Sequence, residues 1–231
     1  MKRLALCIGL TRLDPTAYDD WTGDCPGCDR DVDRIAQRCI RHGFDAVTAL
    51  INGSATRAMV ASAYEFLVGQ LEVDDLLLLY YSGHGGQFRD VSGDEEDHWD
   101  ETLCLWDGEV TDDTIAEYLR WAPRGSRILH VTDCCNGGSN YRGVPRFRRK
   151  KVRGNTAHLL HFGGCDDGRY SLGEEKGGHF TLALLDALSD ARKPITYREW
   201  FDRMAYRMDA RFQQPVMSEV GTSFADREVF S

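Results

Sequence analysis

At 231 residues and 42% hydrophobic content the chain is long enough for one large α/β domain with a substantial core. A formal charge of −9 argues against a general nucleic-acid surface and favours cationic ligands, and no apolar run approaches the roughly 18 residues of a membrane span. The eight cysteines are even in number, but Cys7 and Cys104 lie in strand-like runs and no disulfide lattice of the small secreted kind is visible, so a reducing cytoplasm is the expected setting.

The opening MKRLALCIGL carries two charges and a run too short for a signal sequence, and residues 4–10 read as a first strand whose near-continuous apolar character suits a sheet covered on both faces. Residues 11–26 are polar and turn-rich, a loop over the strand end. Asp29 or Asp31 then begins a helix with Val32, Ile35, Ala36, Cys39 and Ile40 inward and Gly43 as its stop. The spacing of Cys25, Cys28, Cys39 and His42 is close to that of a structural zinc site. The rival reading of Cys39 as a core residue of the helix is the stronger of the two. Residues 45–50 form a second strand, and Asn52, Gly53 and Ser54 turn the chain into a helix through about Val68 with Met59, Ala63, Phe66 and Leu67 inward. Residues 75–82 form a third strand. Three βα units in succession predict a mainly parallel sheet with right-handed crossovers.

The hydrophobic run LLLLYYSGHGG ends in His84 between glycines, followed by an acidic, glycine-containing loop to residue 100. Residues 103–106 are a short strand or hairpin arm, and Asp112 and Asp113 precede a helix over 115–121, where early acids suit the exposed N–H groups. Residues 127–132 form another buried strand, ended by Asp133, with Cys134 and Cys135 at its mouth before Gly137 and Gly138. Residues 136–155 have no apolar periodicity and contain RFRRKKVR. After them come a strand over 156–162, helices over 178–188 and 196–208, and a short strand over 215–220. No internal repeat or linker is seen, so a single domain over 1–231 is expected, with a flexible basic loop at about 139–155.

Polar chemistry in an α/β sheet collects beyond the carboxyl ends of the strands. If the strands before His84 and before the paired cysteines lie parallel, an imidazole faces a thiol. A cysteine attacks a carbonyl as thiolate, and a neighbouring imidazole both activates it and protonates the leaving amine. Strand alternation sends adjacent side chains to opposite faces, so one thiol of the pair points inward, and that one is expected to be Cys134. Backbone N–H groups of Gly85 and Cys135 are candidates to hold the oxyanion. The 51 residues from His84 to Cys135 match the spacing of caspase-type proteases, without their Q-A-C-x-G signature.

YYSGHGG and DCCNGG together resemble the metacaspases and their bacterial relatives in the caspase-like cysteine peptidase family. Gly27-Cys28-Asp29-Arg30-Asp31, Asp100-Glu101-Thr102-Leu103, Thr111-Asp112-Asp113 and Gly178-His179-Phe180-Thr181 support the likeness, which covers almost the whole chain. It implies the caspase–haemoglobinase fold: an α/β three-layer sandwich with a mainly parallel central sheet and helices on both faces. It also implies a cysteine endopeptidase cutting protein or peptide substrates after Arg or Lys, with Cys135 as nucleophile and His84 as base. Asp31, Ser82 and Asp133 would line the pocket for the basic side chain, where a carboxylate pair can grip a guanidinium. Asn136-Gly137-Gly138 stands where the family commonly has His-Ser-Gly. The chemistry calls for no cofactor; calcium enters as an activator, for which Asp100, Asp112 and Asp113 match part of the family's acidic set, while Arg142 stands near where another aspartate is often found. A non-hydrolysing scaffold that binds basic segments of partner proteins, and a thiol-dependent acyl transferase, are the alternatives. The basic loop, rich in the residues such an enzyme accepts, is a candidate for self-cleavage.

Overall fold

The first strand, β1 (Arg3–Gly9), is buried from Leu4 to Ile8 on both faces, and its alternation divides the molecule. The computed structural model of the chain describes residues 1–89, 99–134, 157–165 and 173–231, with backbone alone at 89 and 99. In chain order, α1 (Cys28–Arg41), β2 (Ala46–Ile51), α2 (Arg57–Val68) and β3 (Leu76–Ser82) follow β1. Then come β4 (Gly85–Arg89), β5 (Trp99–Leu105), β6 (Gly108–Thr111), α3 (Asp112–Leu119), β7 (Arg127–Asp133) and β8 (His158–Gly163). The chain closes through β9 (Gly173–Glu174), β10 (Gly177–Gly178), α4 (His179–Ser189), α5 (Tyr197–Arg207) and β11 (Val216–Val220).

Six strands make the central sheet in the order β11-β8-β7-β3-β1-β2. All neighbours are parallel except β11, which runs antiparallel to β8. Because side chains alternate along a strand, Leu4, Leu6 and Ile8 face one way with Leu77, Leu79 and Tyr81, against Val60, Tyr64 and Leu67 of α2 and Ile115 and Leu119 of α3. Ala5 and Cys7 face the other with Leu76, Leu78 and Tyr80, against Val32 and Ile35 of α1, Phe180 and Leu184 of α4, and Trp200 and Met204 of α5. Each fully buried Leu or Phe contributes about 1.5–3 kcal/mol relative to exposure, far more than the few tenths separating most helix propensities. Packing therefore decides which face of each helix turns inward. The result is the three-layer α/β sandwich expected, and no helix among the described residues is long and apolar enough to cross a membrane.

Several expectations are corrected. α2 buries Val60, Tyr64, Leu67 and Val68, spaced at i, i+4, i+7 and i+8, which turns Met59 (51% exposed) and Phe66 (67%) to solvent. Ile40 at the end of α1 is likewise outside. The expected loop over 83–100 contains strand at both ends: Gly85–Arg89, as β4, pairs antiparallel with β5, and β5 with β6, as a small separate sheet. The zinc spacing does not converge. Cys28 and Cys39 stand eleven residues apart on α1, about 16 Å along its axis, and Cys39 packs in the core. Cys135, the basic loop and residues 90–98 lie outside the described residues.

Candidate active site

Parallel register brings the carboxyl ends of three strands level: Gly9 of β1 stands beside Ser82 of β3, and Ser82 beside Asp133 of β7. The fourth residue of α1, Asp31, comes over this edge. Its Oδ2 accepts hydrogen bonds from Ser82 Oγ at 3.2 Å and from the Gly178 N–H at 2.8 Å, and its Oδ1 lies 3.3 Å from Arg34 Nη1. The three residues expected to form one pocket are thus side by side and buried. Burial, opposed by these hydrogen bonds and reinforced by the nearby Asp133, pushes the Asp31 carboxyl up to about 7.

Asp133 has a second task. α4 begins after Gly178, which has no side chain to cap it, and Asp133 Oδ2 accepts from both the N–H (3.1 Å) and the Oγ1 (2.7 Å) of Thr181, the third residue of that helix. It acts as a cap supplied from another element, satisfying an end donor and placing negative charge at the helix N-terminus. Tyr80 Oη, 2.7 Å from Thr181 Oγ1, completes the chain of hydroxyls.

Gly177 and Gly178 stand against the two carboxylates, a place the sequence reading did not give them. A Cβ on Gly178 would run into the Asp133 carboxylate, and one on Gly177, which has φ +122°, into that of Asp31. The turn between β9 and β10 is fastened to α1 by Arg30 Nη1 donating to Glu175 O (2.8 Å) and Arg34 Nη1 to Lys176 O (2.5 Å). The signal in the sequence was a Gly-Gly pair before a helix, with Gly178 opening the Gly178-His179-Phe180-Thr181 run. Gly178→Ala is expected to destabilise the fold by about 1–3 kcal/mol, as overpacking does. Calorimetry will read the loss.

His84 follows directly from β3 through Gly83, whose N–H donates to Asp133 O at 3.3 Å. Its backbone is pinned: His84 O accepts from Cys104 N at 3.0 Å and lies 2.7 Å from Tyr81 Oη, which is also 2.8 Å from Cys104 O. Trp21, from the loop after β1, lies against the imidazole with ring centroids 4.9 Å apart. The Nε2 atom is buried and has no hydrogen-bond partner among the described residues, and a buried polar atom of this kind calls for one. Gly85, an expected oxyanion donor, is the first residue of β4. Cys134, immediately after β7, is fully buried in the core.

The expected calcium acids are near one another along the chain fold. Thr102 of β5 pairs with Thr111 of β6, so Asp100 lies toward the start of α3, where Asp112 Oδ1 accepts the Asp113 N–H at 3.0 Å. Among the described residues no three His, Cys, Asp or Glu side chains gather closely enough to hold a metal ion.

Comparison with known proteins agrees with this architecture. The sequence profile of the caspase domain family, peptidase C14, matches residues 2–224. Metacaspase-1 of Schizosaccharomyces pombe is 34% identical over 151 residues, 59% of this chain and 34% of that protein. Metacaspase-1 of Cryptococcus neoformans is 31% identical over 152 residues, 60% of this chain and 32% of its own length. The chain spans about a third of the length of these curated relatives. Among solved structures, protein GSU0716 of Geobacter sulfurreducens superposes with a TM-score of 0.86 at 32% identity, covering 100% of this chain and 99% of that one. Caspase-1 of Spodoptera frugiperda gives 0.69 at 17% identity over 98% and 88%, a likeness of fold. With the profile running over nearly its whole length, the chain belongs to the caspase domain family of cysteine-type peptidases.

Proposed function

We propose that the chain is a metacaspase-like cysteine endopeptidase that cleaves after Arg or Lys. The observation that carries this reading is the pair of buried carboxylates, Asp31 and Asp133, set beside the strand end that delivers His84. Two desolvated acids are costly to ionise alone, and a guanidinium offers both of them charge and paired hydrogen bonds. In the reaction, His84 takes the Cys135 thiol proton and the thiolate attacks the scissile carbonyl. The oxyanion rests on the N–H groups of Gly85 and Cys135. His84 then protonates the departing amine, and water attacks the thioester with the imidazole as base, regenerating the thiol.

A panel of fluorogenic peptides differing only at P1, run with and without calcium, tests the assignment. Arg and Lys substrates are expected to exceed matched Asp and Leu substrates in kcat/KM by about a hundredfold or more, since a buried charge pair left unmade is worth several kcal/mol. A preference for Asp would overturn the specificity, and binding of basic peptides without any turnover would favour the scaffold reading. Calcium is proposed as an activator, with Asp100, Asp112 and Asp113 supplying only part of the six or more oxygen ligands it takes; a rate unchanged by chelator would remove that part.

Self-cleavage within RFRRKKVR is proposed as well. Wild-type protein incubated alone and with calcium is expected to yield two fragments of about 16–17 and 9–10 kDa, from residue counts at the mean residue mass, after Arg146, Arg148, Arg149, Lys150, Lys151 or Arg153. The Cys135→Ala protein should stay whole in intact-mass spectrometry. A wild-type chain that remains uncut while hydrolysing arginine peptides would exclude it.

A further inference from the structure

Among the described residues Cys25 and Cys28 join no group able to hold a metal ion, yet they form a local unit, Cys25-Pro26-Gly27-Cys28. Their Sγ atoms are 3.0 Å apart, and a disulfide bond is about 2.05 Å, so closure asks for an approach of only about 1 Å. The turn that permits this is built in: Gly27 caps α1 in the left-handed region at φ +94°, and Cys28 is the first helical residue. The two thiols are unequal in exposure, Cys28 being 5% exposed and Cys25 half-buried. Their chemistry is unequal in the same sense. The Cys28 thiol holds that of Cys25 below the usual thiol range, against burial and the charges of Asp133 and Asp31. Cys28 itself is pushed up by its bond to Cys25 and by burial. An accessible, more acidic first thiol and a buried second one are what a redox-active C-x-x-C uses for attack and resolution.

The unit adjoins the acidic pocket. Ser82 lies close enough to Cys28 to act on its thiol, and its hydroxyl donates to Asp31, three residues beyond Cys28 along α1. The loop that ends at Cys25 carries Trp21 to the face of His84, and is tied back by the Cys25 N–H donating to Thr11 O at 2.8 Å.

We propose that Cys25 and Cys28 are a redox-active dithiol that closes to a disulfide at the rim of the acidic pocket and, in closing, weakens the pocket's hold on a cationic side chain. The oxidant is a low-molecular-weight disulfide. The Cys25 thiolate attacks one of its sulfurs, forming a mixed disulfide and releasing one thiolate. Cys28 gives its proton to that thiolate, attacks Cys25 Sγ and expels the second, which takes a proton from water. Two electrons pass to the oxidant, which leaves as two thiols, and the Cys25–Cys28 bond is formed. Closure draws Cys28 Sγ from Ser82 and pulls on the first turn of α1, where Asp31 sits. The gating half of the proposal rests on the arginine reading of the pocket; the dithiol half does not.

The test uses full-length Cys135→Ala protein, which leaves the probe uncut, equilibrated in glutathione buffers of rising oxidised fraction, acid-quenched, alkylated and digested with trypsin. The peptide of residues 13–30, which holds both thiols, is expected to lose two hydrogens and resist alkylation, while Cys7 and Cys39 remain alkylatable after denaturation. An arginine-P1 peptide should bind the oxidised form about fivefold or more weakly, the lower end of ordinary coupling between sites, and a Cys25→Ser, Cys135→Ala protein should bind it equally in both buffers. Thiols that stay reduced throughout, or a glutathione adduct on Cys25 that never resolves, would overturn the dithiol. A disulfide with unchanged affinity would overturn the gating. Failure of the peptide to bind either form would overturn the arginine pocket and the gating with it, and the peptide map would still decide the dithiol.

Discussion

Cys135→Ala is expected to lower kcat on an arginine peptide by at least about a thousandfold, the scale on which removal of a nucleophile acts, with little change in melting temperature. Cys134→Ala, one residue earlier, should do the reverse. Cys134 is fully buried in the cluster that includes Tyr81 and Leu103, so the substitution trims the core at a cost of about 1 kcal/mol and leaves most activity. His84→Ala should join the first class, because an unassisted thiol is mostly protonated near neutral pH. Kinetics and thermal melts on the three variants check this. An inactive Cys134→Ala beside an active Cys135→Ala would exchange the two roles.

Asp31→Asn is expected to reduce kcat/KM on arginine peptides about a hundredfold and to change leucine peptides little, since the lost interaction is a charge-assisted one with the basic side chain. It should also alter two pH dependences in opposite senses. Asp31 is pushed from 3.8 up to about 7, chiefly by burial, so the fold favours its neutral form. Its contribution to stability is fully present below the unfolded value and is lost as pH rises through about 7. The gain in melting temperature of Asp31→Asn over wild type should therefore grow from about pH 4 to about 7 and level off above. Guanidinium binding needs the carboxylate instead, so kcat/KM for arginine should rise with pH up to about 7, and the excess of that rise over the one for a leucine substrate should vanish in the variant. An identical pH profile for both substrates in wild type would separate Asp31 from substrate recognition.

The sequence by itself determined the layer order and which strand ends share one edge of the sheet. Apolar runs of period two and one at 4–10, 76–82 and 127–133 can only be satisfied between two helical layers, and a strand that ends in Ser82-Gly83-His84 or Asp133-Cys134 must deliver those side chains to one edge of the sheet. It also put Cys39 in the core, through the apolar helix face it shares with Val32 and Ile35. Tertiary structure decided the rest. Whether Met59 or Val60 faced inward depended on how α2 settles against β1, because a helix pattern one residue out of phase is turned by 100°. The strands β4 and β6 are too short and polar to announce themselves, and form because a partner strand supplies their hydrogen bonds. Asp133 as the cap of α4, and Gly177 and Gly178 as the wall over both carboxylates, join residues more than forty positions apart, and a local pattern carries no trace of a contact that only the folded chain creates.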